Sequence, residues 1–370
     1  MESLMTQFHW SRGIAMSMAL SCVAAGQQAT NARVVIPFPD PRLVISGLPW
    51  LEENGGRLSR LPARLKDSFR TPVWSLAQST SGVRIRFSTN SSSIKIVAQS
   101  GTGRAHHMTS IMQNGLDIYV DGFYKASAWP DGKGRIDRSV GGLGAKSEFR
   151  TITVHLPLYG SASIQEITLA PGAEVKPPSP FAFPAPIVYY GSSITQGGCA
   201  SNPGLSYQAI LGRRLNADFV NLGFSGNGLG EPEVAKAVAE IDAVAFVLDY
   251  WANPAAAVFE RTLPGFVDII RTAHPTVPII VTTPFYNPFR ERIQAQKREI
   301  AEVFVSKRRA AGDTNIHCVE GREMISKDTA WGLVDGRHAN SLGFYLCANG
   351  LEPHLRRVLG VPAAATGKEE

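Results

Sequence analysis

From residue 32 to 175, apolar and polar positions alternate in short runs. Val83, Ile85 and Phe87 fall on one side of an extended chain and Arg84 and Arg86 on the other, the period-two pattern of a half-buried strand. Similar runs recur at residues 94–97, 116–120, 151–156 and 164–169, the second ending in the turn signal Asp121-Gly122. Strands separated by turn chemistry, with no convincing helical period, predict an all-β sandwich or jelly-roll domain over 32–175. A proline-rich stretch from Pro171 to Pro186 follows, and the reading places a linker at 176–186. Beyond it the rhythm changes. Short apolar runs at 187–190, 219–222, 244–248, 279–283 and 316–319 alternate with helical spacing at 207–215, 231–241, 259–273, 290–311 and 341–358. Five such units predict an α/β domain over 187–362, a flavodoxin-like parallel sheet with helices on both faces, followed by a tail at 363–370. Reactive groups are expected at the carboxyl ends of its strands.

The chain's 370 residues suit two domains, and 44% apolar with 18% charged residues is ordinary for globular protein. A net charge of +6, spread along the chain, speaks against a nucleic-acid partner. His9 and Arg12 precede an apolar stretch, 13–25, too short to span a bilayer comfortably. Residues 1–25 therefore read as a signal peptide, cut after Val23-Ala24-Ala25 to leave Gly26 first, and the protein as secreted or periplasmic with no integral membrane span. Residues 19–22 faintly resemble a lipoprotein box, which leaves lipidation of Cys22 open. Cys199, Cys318 and Cys347 form an odd set without metal-ligand spacing; one disulfide is allowed and none is assigned.

The candidate chemistry follows the strand ends. Gly191-Ser192-Ser193-Ile194-Thr195 stands after the first strand of the second half, where a sharp turn would expose Ser193 beside the free N–H groups of a helix start. Gly223-Phe224-Ser225-Gly226 follows the second strand, Tyr250-Trp251-Ala252-Asn253 the third, and Asp335-Gly336-Arg337-His338 the fifth. Each has a plainer use: an N-cap, a tight turn at Gly226, an Asx turn at Asn253, a surface loop at Asp335 and His338. Together they supply a nucleophile, a base, a carboxylate to orient the base, and oxyanion donors, the parts acyl transfer needs. No HExxH, zinc-spaced cysteine pair or Walker loop is present, and no cofactor or metal is expected.

These blocks resemble those of the SGNH, or GDSL-like, hydrolase superfamily over residues 186–360. The resemblance implies Ser193 as nucleophile, His338 as general base and acid, Asp335 as its orienting carboxylate, and an oxyanion hole from the Ser193 and Gly226 N–H groups and the Asn253 side chain. Ser192 stands where the family usually has aspartate, and Trp251-Ala252 replaces its glycines. In the first half, Gly115-Leu116-Asp117-Ile118-Tyr119 looks like the GxDLY motif of the β-sandwich that precedes the hydrolase in one branch of that superfamily. The expected activity is that of a serine esterase, with a carbohydrate O-acetylesterase as first choice and an acylated carbohydrate as partner. The alternatives are a lipase or thioesterase, and a non-catalytic carbohydrate-binding protein on a hydrolase scaffold. Trp251, Phe285, Tyr286 and Phe289 are read either as faces for sugar or acyl groups or as packing residues; Asp117 and His106-His107 are assigned no role.

Overall fold

The computed structural model describes residues 32–101, 103 and 105–363. The signal-peptide reading, with Cys22 and Gly26, and the tail from 364 onward lie outside the described residues. Ten strands make up two antiparallel sheets. They are β1 (Val34–Pro37), β2 (Val44–Ser46), β3 (Arg84–Thr89), β4 (Ser93–Ser100), β5 (Leu116–Val120), β6 (Phe123–Ala128), β7 (Arg135–Gly141), β8 (Arg150–His155), β9 (Ala162–Leu169) and β10 (Val175–Lys176). One sheet runs β1-β9-β4-β7 and the other β10-β3-β8-β5-β6, with β2 also on β3. Ile36, Ile96, Ile136 and Ile167 of the first share a core with Ile85, Phe87, Ile118 and Val154 of the second, so the two form a sandwich.

The second half is a parallel sheet of β11 (Ile187–Gly191), β12 (Phe219–Gly223), β13 (Ala245–Asp249), β14 (Ile279–Thr282) and β15 (Ile316–Val319), in the order β12-β11-β13-β14-β15. That is the flavodoxin-like order, whose switch point lies between the first and third strands. β11, β12 and β13 are buried along their whole length, which is why they read as unbroken apolar runs.

Helices α1 (Thr71–Ala77) and α2 (Ser110–Asn114) lie in the first half, where none was expected. Seven and five residues are too few to display a helical period. Those of the second half are α3 (Ser193–Gln196), α4 (Tyr207–Leu215), α5 (Pro232–Ala239), α6 (Ala256–Ala273), α7 (Glu291–Ala310) and α8 (Ser341–Val358). Five of them fall within three residues of the expected bounds at each end; α3 is a single turn that spacing could not announce. No helix among the described residues is long and apolar enough to cross a membrane.

Three features depart from the alternation reading. Arg84 and Arg86 were expected on a solvent face, yet they are 3% and 8% exposed because the parallel-sheet half covers Arg84 and the connector, through Ser179 and Phe181, covers Arg86. The Arg84 guanidinium lies 3.7 Å from the Phe219 ring centroid and pairs with Asp218. Lys176, taken as the start of a linker, belongs to β10 and pairs with Ser88 of β3. Between β2 and β3, Trp50, Leu61, Phe69, Val73 and Ala77 join the core of the parallel-sheet half.

Arg60 shows how tightly that intervening segment is held. Its side chain is fully buried and donates to the carbonyls of Leu76, Ser79, Asn221 and Gly223, the last two at the carboxyl end of β12. Burial lowers its pKa to about 9. Arg60→Met should keep the volume but strand those acceptors, costing about 3 kcal/mol or more. A urea midpoint unchanged from wild type would contradict this.

Candidate active site

The turn after β11 is shaped by its own side chains. Ser192 Oγ accepts from the Ile194 N–H at 3.1 Å and Thr195 Oγ1 accepts from the Ser192 N–H at 3.1 Å, a reciprocal cap on α3. Ser192, which stands in place of an aspartate, thus acts as the N-cap. Gly191 is required here, since a Cβ would collide with Thr195 and the Asp249 carbonyl.

At this sheet edge Ser193 Oγ lies 2.9 Å from His338 Nε2, and His338 Nδ1 lies 2.7 Å from Asp335 Oδ2. The other Asp335 oxygen accepts from the His338 N–H at 2.8 Å and the Arg337 N–H at 3.0 Å. Burial raises the Asp335 carboxyl, but these backbone donors and the imidazole outweigh it and hold the pKa at about 2. With Asp335 ionised, the network assigns the proton to Nδ1 and leaves the Nε2 lone pair facing Ser193. Gly336 has φ +73°, and a Cβ there would strike the Phe289 ring, so the turn between Asp335 and His338 needs glycine.

The three expected oxyanion donors flank the same turn. Ser193 opens α3, and its N–H has no helical acceptor. Gly226 has φ +69° and lies in the loop after β12, which is tied back through Ser225 N–H to Gln196 Oε1 at 2.9 Å. Asn253 accepts from the Gly228 N–H through Oδ1 at 3.1 Å, which leaves its Nδ2 hydrogens for another acceptor. Among the described residues none of these three donors has a partner.

Behind the turn sits a group that the spacing did not reveal. Asp249, the last residue of β13, is buried and accepts from Thr195 Oγ1 at 3.0 Å, Tyr207 OH at 2.9 Å, Trp251 Nε1 at 2.9 Å and Thr282 Oγ1 at 2.9 Å. Burial pushes its carboxyl pKa up, and those four donors oppose the rise. Trp251 is 2% exposed and meets Phe285 edge-to-face at 4.9 Å, so both are packing residues and not ligand surfaces. Phe289, by contrast, is 79% exposed beside Gly336.

Two residues left without a role in the sequence reading acquire one in space. Asp117 is fully buried and accepts from Ser127 Oγ at 2.6 Å, Asn202 Nδ2 at 3.2 Å and the Gly204 N–H at 2.9 Å, joining β5 to the loop that follows α3. His107, exposed on a sandwich loop, brings its ring within 5.7 Å of His338. A ligand atom each of His107, Cys199 and His338 lies within 4.8 Å of the others. The set does not suit a metal: burial and nearby Asp335 push the Cys199 thiol up to about 12, and His338 Nε2 is engaged by Ser193. Cys199, Cys318 and Cys347 are free thiols, so the disulfide left open is not formed.

Residues 184–356 match the GDSL-like lipase/acylhydrolase family, and residues 38–175 match the GxDLY domain, the N-terminus of SGNH-hydrolase-type esterases. A GDSL-like protein from Bacteroides ovatus is similar at 30% identity and TM-score 0.81, over 90% of this chain and 100% of that one. The chain belongs to the GDSL-like hydrolase family. A salicylyl-acyltransferase from a tetracycline biosynthetic pathway shares the fold at 23% identity and TM-score 0.75, over 89% of this chain and 98% of that one. A family two carbohydrate esterase from Clostridium thermocellum does so at 17% identity and TM-score 0.56, over 76% and 94%. No curated protein matches the chain.

Asp249→Ala in this GDSL-like hydrolase should leave four buried donors unpaired and cost about 3 kcal/mol or more. The check is thermal unfolding, in which a melting temperature equal to wild type would refute the assignment.

Proposed function

We propose that this GDSL-like hydrolase is a serine esterase that removes short acyl groups, acetyl first among them, from carbohydrate. The observation that carries the reading is the relay from Ser193 Oγ through His338 to Asp335, at the start of a helix and beside three unpaired donors. In the acylation step His338 Nε2 takes the Ser193 proton as Oγ bonds to the ester carbon. The carbonyl oxygen gains negative charge facing the Ser193 and Gly226 N–H groups and Asn253 Nδ2. The imidazolium then gives its proton to the leaving sugar oxygen, and the C–O bond breaks. Water, deprotonated by the same Nε2, attacks the acyl-enzyme, and Ser193 recovers its proton as the acid leaves. Asp335 holds the tautomer and stabilises the imidazolium throughout.

The carbohydrate part rests on the surroundings of the relay. Phe289 at 79% and Trp331 at 57% exposure stand on the loops that flank Asp335 and His338, and aromatic faces of this kind suit the apolar faces of sugar rings. Three solved structures in this fold class are named as family two carbohydrate esterases, which favours the same substrate class.

On an acetylated oligosaccharide, Ser193→Ala should abolish acetate release while retaining the fold. Asn253→Ala should lower kcat about 10²–10³-fold with little change in KM. Full activity in Ser193→Ala would overturn the proposal. Because Asp335 stays ionised down to about pH 2, it should add no protonation of its own to the acid limb of kcat/KM, which should fall with a slope of one. A limb of slope two above pH 4 would show that a second group is needed.

A further inference from the structure

A pocket of about 340 Å³ lies between the two halves, away from the relay. One wall is the outward face of the sandwich: Arg84 and Arg86 of β3, with His155 and Thr153 of β8 opposite them in register and Thr151 two residues on from Thr153. Alternation along both strands sends these five side chains to one side. The other wall is Phe219 at the start of β12, Ala209, Gly212 and Arg213 of α4, and Phe181 of the connector. Ser193 follows the opposite, carboxyl end of the sheet, a strand length away, on the order of 15 Å.

The pocket is cationic beyond what its own carboxylates balance. Arg84 is spoken for by Asp218 and the Phe219 carbonyl. Asp121 at the rim is tied to Arg150 and the Thr151 N–H. Arg86 is 8% exposed and stacks 3.8 Å from the Phe181 centroid; its one protein acceptor among the described residues is the Ser179 carbonyl, at 3.1 Å. Arg213 stacks over Tyr119 at 4.3 Å and donates to the Gly204 carbonyl at 2.8 Å. Asp117 lies beyond Gly204 with its oxygens already engaged by Ser127, Asn202 and the Gly204 N–H. Neither Arg86 nor Arg213 has an ion pair among the described residues, and each keeps N–H groups without an acceptor. His155, 4% exposed, adds a buried Nε2 with no partner among the described residues. A buried polar atom left unpaired is costly, and so is a guanidinium withdrawn from water without an ion pair: Arg86 is buried and Arg213 half-buried, and the carboxylates that act on them, Asp218 and Asp117, form no salt bridge with either.

We infer that this pocket is a non-catalytic binding site for a small organic oxyanion of monosaccharide size, held by Arg86 and Arg213 and hydrogen-bonded to His155. Stacking on Phe181 and Tyr119 fixes each guanidinium plane and leaves N–H edges for a carboxylate or phosphate, the geometry that arginine recognises with two parallel bonds. Burial and the neighbouring Arg213 and Arg84 push the His155 pKa well down, so it meets the anion as a neutral N–H donor. The volume suits a sugar-sized ligand and exceeds what a single inorganic ion would fill. The site is independent of the esterase reading, since it shares no residue with the relay.

The test is calorimetric titration of the full-length protein with glucuronate, glucose 6-phosphate and glucose at matched ionic strength. One or both anions should bind with unit stoichiometry and glucose should not; which anion binds better identifies the ligand as carboxylate or phosphate. Arg86→Gln should weaken that binding at least about tenfold while its ester turnover stays at the wild-type level, which certifies its fold. A second measurement needs no arginine variant: in protein labelled with ¹⁵N-histidine, the His155 Nε2 resonance, assigned by its loss in His155→Gln, should move on adding the anion. Anions that bind no better than glucose, binding equal in Arg86→Gln, or an unmoved His155 resonance at saturation would each overturn the site.

Discussion

The candidate active-site edge of this protein is organised around one buried carboxylate. Asp249 ends the central strand β13 and collects hydrogen bonds from the Ser193 turn, from α4, from the loop carrying Asn253, and from β14. Each donor belongs to a different segment, and all four meet at that side chain. A carboxylate accepts several bonds at once, which makes it suited to fixing parts that arrive from distant points in sequence. The cost is desolvation, visible in the raised pKa, and the four donors offset it. The turn that carries Ser193 is thus held both by its own cap and, through Thr195, by the carboxylate behind it.

A second set of polar contacts fixes the sandwich to this edge. Asp117 and Tyr119 of β5 reach the loop at Asn202 and Gly204, and Thr109 donates to the Ser201 carbonyl at 2.5 Å. Gly115 precedes them because a Cβ there would lie 2.6 Å from the Ala128 carbonyl oxygen and 2.7 Å from that of Ile111. The short motif in the first half is thus a latch: its glycine allows close approach, its aspartate accepts across the interface, and its tyrosine supplies a ring for Arg213. The loop that carries His107 toward His338 is held by Gln113, which bonds Ala105 and Met108, and by Thr109 on Ser201.

What could be read from the sequence followed from burial. Strands covered on both faces appear as continuous apolar runs, so β11 through β15 and the long helices between them were legible, and the residues after those strands could be singled out. The structure brings Ser193, His338 and Asp335 into hydrogen-bonding distance of one another. Alternation in β3, however, reports only that one face is apolar and says nothing of what covers the other, so Arg84 and Arg86 looked like solvent-facing residues. Helices α1 and α2 are too short to have a period. Asp249 was hidden because a lone acidic residue at a strand end resembles any turn. His107 was hidden because its contact spans the two halves, a relation that no local pattern encodes.

The excursion between β2 and β3 has a consequence for how such a protein can change over generations. Trp50, Leu61, Phe69, Val73 and Ala77 are numbered among the residues of the sandwich yet form part of the interior of the other half, with Arg60 bonded to the end of β12. The two halves are therefore not interchangeable cassettes. A recombination event at the proline-rich connector would remove a layer of the hydrolase's interior together with the sandwich. A chain of this architecture keeps its hydrolase interior intact only when both halves are inherited together.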